Sequence, residues 1–261
     1  MNNALDPTAH SAPAAPGVVY LCGAGPGDPS LLTLRAAHLL ATAEVILPDD
    51  LVSPHILALA NPLAEVIPVG KRCGQPRITQ GGIHTLMIEH ARPDIAGLNR
   101  PRRSVLRLKS GDPLVFGRAG EEIDALTEAG IGFEIVPGIT AALAIAAALQ
   151  TPLTDRAAAS RLVFATAHHS SGEPRLPALH PGETIALYMP GRNFEHLSAS
   201  LLASGIAPDT PALIVSRGAT PEQHSTYTTV GKLPDSIPHP APLLLLIGDA
   251  IRNSTKKLRK T

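Results

Sequence analysis

Two short segments concentrate the residue types that could do chemistry: GAGPGDP at 23–29 and LKSGDPLVFGRAGEE at 108–122. Each follows an apolar run that reads as a strand, turns through glycine and leads into a helical pattern. Glycine lets a ligand approach the backbone, and loops at strand C-termini are where α/β sheets place ligands. The first segment is not a dinucleotide fingerprint. In G-x-G-x-x-G the third glycine follows the second by three, where this chain has Asp28. Pro26 also removes an N–H that a pyrophosphate would use. A plain strand-to-helix turn remains open for that segment taken alone. In the second segment Arg118 precedes Glu121 by three. Its guanidinium either pairs internally or offers a fork to a carboxylate ligand.

Charge and composition narrow the ligand. The 261 residues carry zero formal net charge, 3% aromatics and no Trp, which argues against wholesale binding of nucleic acid. Yet between Gly70 and Gly120 ten Lys/Arg, among them Lys71, Arg103, Arg107, Lys109 and Arg118, face three acids. That imbalance reads either as a solvated face or as a cleft for a polyanionic small molecule. The 11 histidines include no H-x-x-x-H spacing, there is no C-x-x-C, and the adjacent His168 and His169 cannot both face one ion from a strand. No metal is expected. Cys22 and Cys73 are too few for a disulfide framework and read as small apolar residues. Residues 1–17 lack the basic and apolar regions of a secretory signal, and no apolar run approaches the ~18 residues of a membrane span.

The elements that must position these loops alternate. Strands are expected at 18–21, 45–47, 65–69, 104–108 and 133–136, with helices at 31–43, 83–91 and 121–129, the last closed by Gly130. Such alternation argues for an α/β layer with a largely parallel sheet. After Pro137-Gly138, an alanine-rich helix at 139–149, apolar nearly all round, is expected to be buried. Further strands at 162–165, 184–188, 212–216 and 243–247 and a helix at 194–203 read as a second α/β domain. The expected division is a disordered tail at 1–16, domains at 17–138 and 139–253, and a basic solvated tail at 254–261.

The two glycine loops, in this order, resemble those of S-adenosylmethionine-dependent tetrapyrrole methylases. FGRAGEE at 116–122 is close to the F-G-R-G-G-E-E of uroporphyrinogen-III C-methyltransferases, and TPLTDR at 151–156 to their P-L-T-x-R. DDLVS at 49–53, VGKR at 69–72, VPGIT at 136–140, LYM at 187–189 and RGATPEQ at 217–223 match in order, from Val18 to about Ile251. The resemblance implies two α/β domains of the tetrapyrrole methylase type with the active-site cleft between them. It implies that Pro26, Ser110, Gly111, Asp112, Val115, Thr140, Ala141, Met189 and Gly218 line the cofactor site. Arg118, Glu121 and Arg156 would face the tetrapyrrole, and Asp49, Lys71 and Arg118 would serve catalysis.

The implied reaction is methylation of uroporphyrinogen III at C2 and C7 to precorrin-2, feeding sirohaem or cobalamin synthesis, in a cytoplasmic homodimer without metal, nucleic-acid or membrane partners. Too few residues precede the first strand for the dehydrogenase–ferrochelatase domain of fused sirohaem synthases, so activity is expected to stop at precorrin-2. The alternatives are a methyltransferase of the same fold acting on a later precorrin, ribosomal RNA or diphthine, and a non-catalytic S-adenosylmethionine-binding paralogue. This chain departs from the family pattern at Pro48, Asp50, Ser110 and Ala167, and at Gly81-Gly82, which cost a helix start about 1 kcal/mol each.

Overall fold

The computed structural model describes residues 12–70, 78–92, 101–167, 180–237 and 239–251. Of the residues singled out above, 1–11 of the N-terminal tail, Lys71, Cys73, His168, His169 and the basic C-terminal tail lie outside that set. The chain divides into two compact units, Met1–Thr140 and Ala141–Thr261.

In the first unit, strands β1 (Val18–Gly23), β2 (Val45–Pro48), β3 (Glu65–Val66), β4 (Val105–Lys109) and β5 (Gly132–Val136) form one sheet in the order β3-β2-β4-β1-β5. Every pairing is parallel. A parallel sheet needs cover on both faces, and alternate residues of each strand supply two cores. Tyr20, Cys22, Ile46, Leu106 and Leu108 pack with Leu39 and Leu40 of helix α1 (Leu34–Thr42) and Ile56 of the short α2 (Pro54–Leu57). Val19, Leu21, Val45, Leu47 and Val105 pack with Ile83 and Met87 of α3 (Gln80–Ala91) and Leu126 of α4 (Ala119–Glu128).

The expected helix at 31–43 is in two pieces. Asp28 accepts from the Ser30 N–H to start a single 3-10 turn at Pro29–Leu31, and Thr33 then caps α1 separately. The strand expected at 65–69 is shortened. Regular pairing is confined to Glu65–Val66, although the Ile67 and Val69 N–H groups go on donating to Ile46 O and Pro48 O of β2. Gly81 and Gly82 fall in the first turn of α3, where Thr79 Oγ1 accepts from the Gly82 N–H. Gly130, at φ +64°, closes α4 as expected, with the Ile131 N–H reaching back to Leu126 O.

The second unit begins with α5 (Ala141–Ala148), followed by β6 (Arg161–Thr166), β7 (Glu183–Tyr188), α6 (Phe194–Ala203), β8 (Pro211–Ser216), β9 (His224–Thr229) and β10 (Leu243–Ile247). The sheet runs β6-β7-β10-β8-β9, and only β6–β7 is parallel. Phe194, Leu197 and Leu201 of α6 cover one face, and Ala142 and Ile145 of α5 cover the other. The expectation that the alanine-rich helix is buried all round is corrected. Leu143, Ala147 and Ala148 are exposed, because α5 lies on the sheet by one flank only. Among the described residues no helix is long and apolar enough to cross a membrane.

Candidate active site

In a parallel sheet every strand delivers its following loop to the same edge, so the first unit gathers its candidate residues there. The loops after β1 and β4 are tied by a two-way bridge. Gly25 N–H donates to Gly111 O at 3.1 Å, and Gly111 N–H donates to Gly25 O at 2.7 Å. Asp112 locks the loop after β4 in turn. Its Oδ1 accepts from Leu114 N at 2.8 Å and its Oδ2 from Gly138 N at 3.0 Å, after β5. A Cβ on Gly23 would lie 2.6 Å from both Gly111 O and Gly138 Cα, so three strand ends meet backbone to backbone. Gly111 itself, at φ +70°, has no atom nearer than Thr140 Cα at 3.9 Å on its Cβ side. That open backbone face fits a bound group lying against it. Pro26, Ser110 and Val115 are half-buried beside it, and Thr140 is buried.

Asp49 follows β2, the neighbour of β4, and is about one-third exposed, at 34%. One of its oxygens is held from below. Arg107 Nη2 donates to Asp49 Oδ1 at 2.5 Å, Arg107 Nη1 to Leu47 O at 3.0 Å, and Arg107 Nε to Glu122 Oε1 at 2.9 Å. Lys109 Nζ reaches both Glu122 oxygens, at 2.9 and 2.8 Å. Arg107, Lys109 and Glu122 are buried. Burial, reinforced by the Arg107 charge, holds the Lys109 ammonium below the ordinary lysine range, with Glu122 opposing that shift. The sequence shows the two cations as members of a basic run, with Lys109 also opening the second glycine loop, and not as a buried pair. The signal was available: two charges at alternate positions of an otherwise apolar strand must share a buried counter-ion.

Arg118 takes the left-handed conformation (φ +56°) at the start of α4, between Phe116 at φ +54° and the helix. Its Nε and Nη2 donate to Glu121 at 2.8 and 2.7 Å, both side chains being about half exposed. The mutual hydrogen bonds raise the guanidinium and lower the carboxyl relative to their ordinary values. The internal pair anticipated for Arg118 is therefore present, on the surface rather than in the core. Leu51, Leu114 and Phe116 are exposed on the loops after β2 and β4.

The second unit carries the other expected residues. β7 and β8 run in the same direction on either side of β10, so Met189 and Arg217-Gly218 emerge at one edge. Met189 is exposed at φ +50°. Gly218 has a packing reason of its own, since a Cβ there would collide with Ile145 of α5. Ala141 is half-buried at the start of α5. Arg156 is exposed on a tight loop, where Asp155 Oδ1 accepts from Ala157 N and Ala158 N at 2.8 and 3.0 Å. No group of three or more His, Cys, Asp or Glu that could hold a metal occurs among the described residues.

A family model for tetrapyrrole (corrin/porphyrin) methylases matches residues 18–234. The chain belongs to that family. Among solved tetrapyrrole methylases, uroporphyrin-III C-methyl transferase from Thermus thermophilus, complexed with S-adenyl homocysteine, is 36% identical with a TM-score of 0.76. The match covers 90% of this chain and 93% of that one. A cobalt precorrin-4 methyltransferase is 29% identical with a TM-score of 0.74, over 90% of this chain and 96% of its own. A siroheme synthase of Acinetobacter baylyi is 43% identical over 244 residues, which is 91% of this chain and 52% of the relative. The chain spans about half the length of the curated relatives it matches. The two-sheet mixed α/β architecture is that of the structural neighbours.

Proposed function

We propose that this tetrapyrrole methylase transfers methyl groups from S-adenosylmethionine to C2 and C7 of uroporphyrinogen III, giving precorrin-2 and S-adenosylhomocysteine. The observation that carries the reading is the likeness, over about nine-tenths of both chains, to a uroporphyrin-III methyl transferase complexed with S-adenyl homocysteine. The residues fit the demands of the chemistry. S-adenosylmethionine supplies an electrophilic sulfonium methyl, which an electron-rich pyrrole carbon attacks without a covalent enzyme intermediate. The open backbone at Gly111, beside Pro26, Ser110, Val115 and Thr140, is the proposed cofactor surface in the first unit, where Asp112 fixes the loop. Ala141, Met189 and Gly218 are the proposed cofactor residues of the second.

Uroporphyrinogen III carries eight carboxylates. Arg118 and Arg156, both exposed, are the proposed forks for them, with Glu121 orienting Arg118. Exposed Leu51, Leu114 and Phe116 offer apolar surface to the ring system. After each transfer a proton must leave the alkylated carbon. Asp49, with Oδ1 occupied by Arg107 and Oδ2 unclaimed by it, is the proposed acceptor, and Lys71 the proposed partner in proton transfer. Holding both reactants in line is the main catalytic contribution of such a site. The product would feed sirohaem or cobalamin synthesis in the cytoplasm, and the working protein is proposed to be a homodimer.

The test is an anaerobic incubation with uroporphyrinogen III and isotopically labelled cofactor, followed by mass analysis. Two labelled methyl groups per macrocycle are expected. Labelling only of a later precorrin would overturn the substrate assignment. Light scattering at assay concentration checks the dimer, and a monomer there would remove it.

A further inference from the structure

The charges beneath Asp49 form a closed chain with a single buried anion. Glu122 sits on α4, one residue past the exposed Glu121, and its side chain is 0% exposed. It receives Arg107 Nε on one oxygen and Lys109 Nζ on both. Arg107 then has its other arms on Leu47 O and Asp49 Oδ1. The planar fork makes these contacts interdependent: fixing Nε fixes the plane in which Nη2 meets Asp49.

We propose that Glu122 is a positioning residue for Asp49, acting through Arg107 to present the second carboxylate oxygen to the reacting carbon. Its claim to an effect on turnover rests on the reading of Asp49 as proton acceptor. Lys109 completes the arrangement by balancing the buried charge: two cations meet two carboxylates. Without Lys109, Glu122 and Asp49 would share one cation. Without Glu122, two buried cations would face one carboxylate that is a third exposed, a far costlier state. A fold needing only filled space at this point could use apolar side chains, since a buried ion pair is often replaced by such residues without loss of stability. What apolar residues cannot do is hold the Arg107 plane.

The test removes the anchor without stranding a charge. In Lys109→Met/Glu122→Met the Arg107–Asp49 pair remains balanced, and the variant should fold with a melting temperature near that of the wild type. Its kcat for methyl transfer should fall at least tenfold, with KM for both substrates within about twofold. Lys109→Met/Glu122→Gln, which keeps an acceptor for Arg107 Nε, should recover most of the loss. Crystal structures of both variants supply a readout that does not depend on turnover: with Nε unanchored the Arg107 plane should turn in the first, carrying the Asp49 carboxylate with it, and both groups should keep their wild-type orientation in the second. A folded Met/Met variant with wild-type kcat, or one in which the Arg107 plane and the Asp49 carboxylate keep their wild-type orientation, overturns the proposal. Absence of product from the wild type would overturn the substrate assignment instead, and the variant structures would still decide the positioning role.

Discussion

Arg118 already holds a carboxylate through two of its nitrogens, the arrangement that a substrate carboxylate would use. Exposed pairs of this kind are worth little to stability, so the pair serves to orient rather than to hold the fold. Arg118→Lys keeps the charge and loses the fork. Losing one charge-assisted hydrogen bond of about 1.5–3 kcal/mol predicts a fall in methyl transfer of about 10- to 100-fold. Cofactor affinity by calorimetry should stay within about threefold, because Arg118 is proposed to hold only the tetrapyrrole. A parallel collapse of cofactor binding would mean that the Arg118–Glu121 pair shapes the loop itself.

Cys22 is a second residue with a sharp expectation. Burial pushes its thiol up to about 12 from an ordinary 9.0, with Glu134 adding to the shift and Arg35 opposing it. The folded state therefore favours the neutral thiol. Its contribution to stability is complete below about pH 9 and is lost as pH rises toward 12. The stability of wild type should fall more steeply than that of Cys22→Ala across that window, measured by urea unfolding at several pH values. At pH 8 a thiol reagent should modify Cys22 only after denaturant is added.

Elements, rather than single residues, decide what the glycines of the first unit do. At Gly138 a Cβ would lie 2.8 Å from Gly23 Cα and nearer still to Gly111 O, all backbone that cannot swing aside. Gly138→Ala must part the ends of β1, β4 and β5 and should destabilise by about 1–3 kcal/mol, as overpacking does. Gly120, in the first turn of α4, has no atom within 4 Å of its Cβ position. Gly120→Ala should stabilise by about 0.5–1 kcal/mol through helix propensity alone. Urea unfolding of the two variants separates a glycine required by close approach from one that is not.

The same elements show what was legible in the sequence. Strands that are apolar runs, such as LLLLI at 243–247, could be read directly, because central strands are buried on both faces. β9 could not: HSTYTT is polar, half-exposed and at the edge of its sheet, and carries no apolar alternation. Nor did any local pattern announce that the second sheet is mostly antiparallel, since strand direction is set by connections and not by composition. At the site, the glycine loops and Arg118 stood out by spacing. Glu122 was legible only as part of a helix start, because what makes it unusual is the depth to which α4 carries it against β4.

At the scale of the whole molecule, a zero net charge coexists with a strongly basic stretch, and among the described residues several of its cations carry their own partners. Arg107 and Lys109 are neutralised in the interior, Arg103 pairs with Glu65, and Arg118 pairs with Glu121. At the described residues the proposed polyanionic macrocycle would thus meet oriented forks such as Arg118, already paired, and a hold of that kind is readily exchanged. That matters for the two-round reaction proposed above. C2 and C7 lie on different pyrrole rings, while Asp49 Oδ1 is pinned by Arg107 and cannot follow the substrate. The macrocycle must therefore turn, or leave and return, between transfers, and spent cofactor must be replaced in the same interval. With cofactor limiting, singly methylated tetrapyrrole should accumulate free in solution before any doubly methylated product predominates. Anaerobic quenched-flow sampling with mass analysis at about half an equivalent of S-adenosylmethionine measures this, the excess of unmodified substrate keeping released intermediate from rebinding. If only unmodified and doubly methylated macrocycles are found, the substrate turns without leaving. Arg118 and Arg156 would then have to hold it far more tightly than exposed forks suggest.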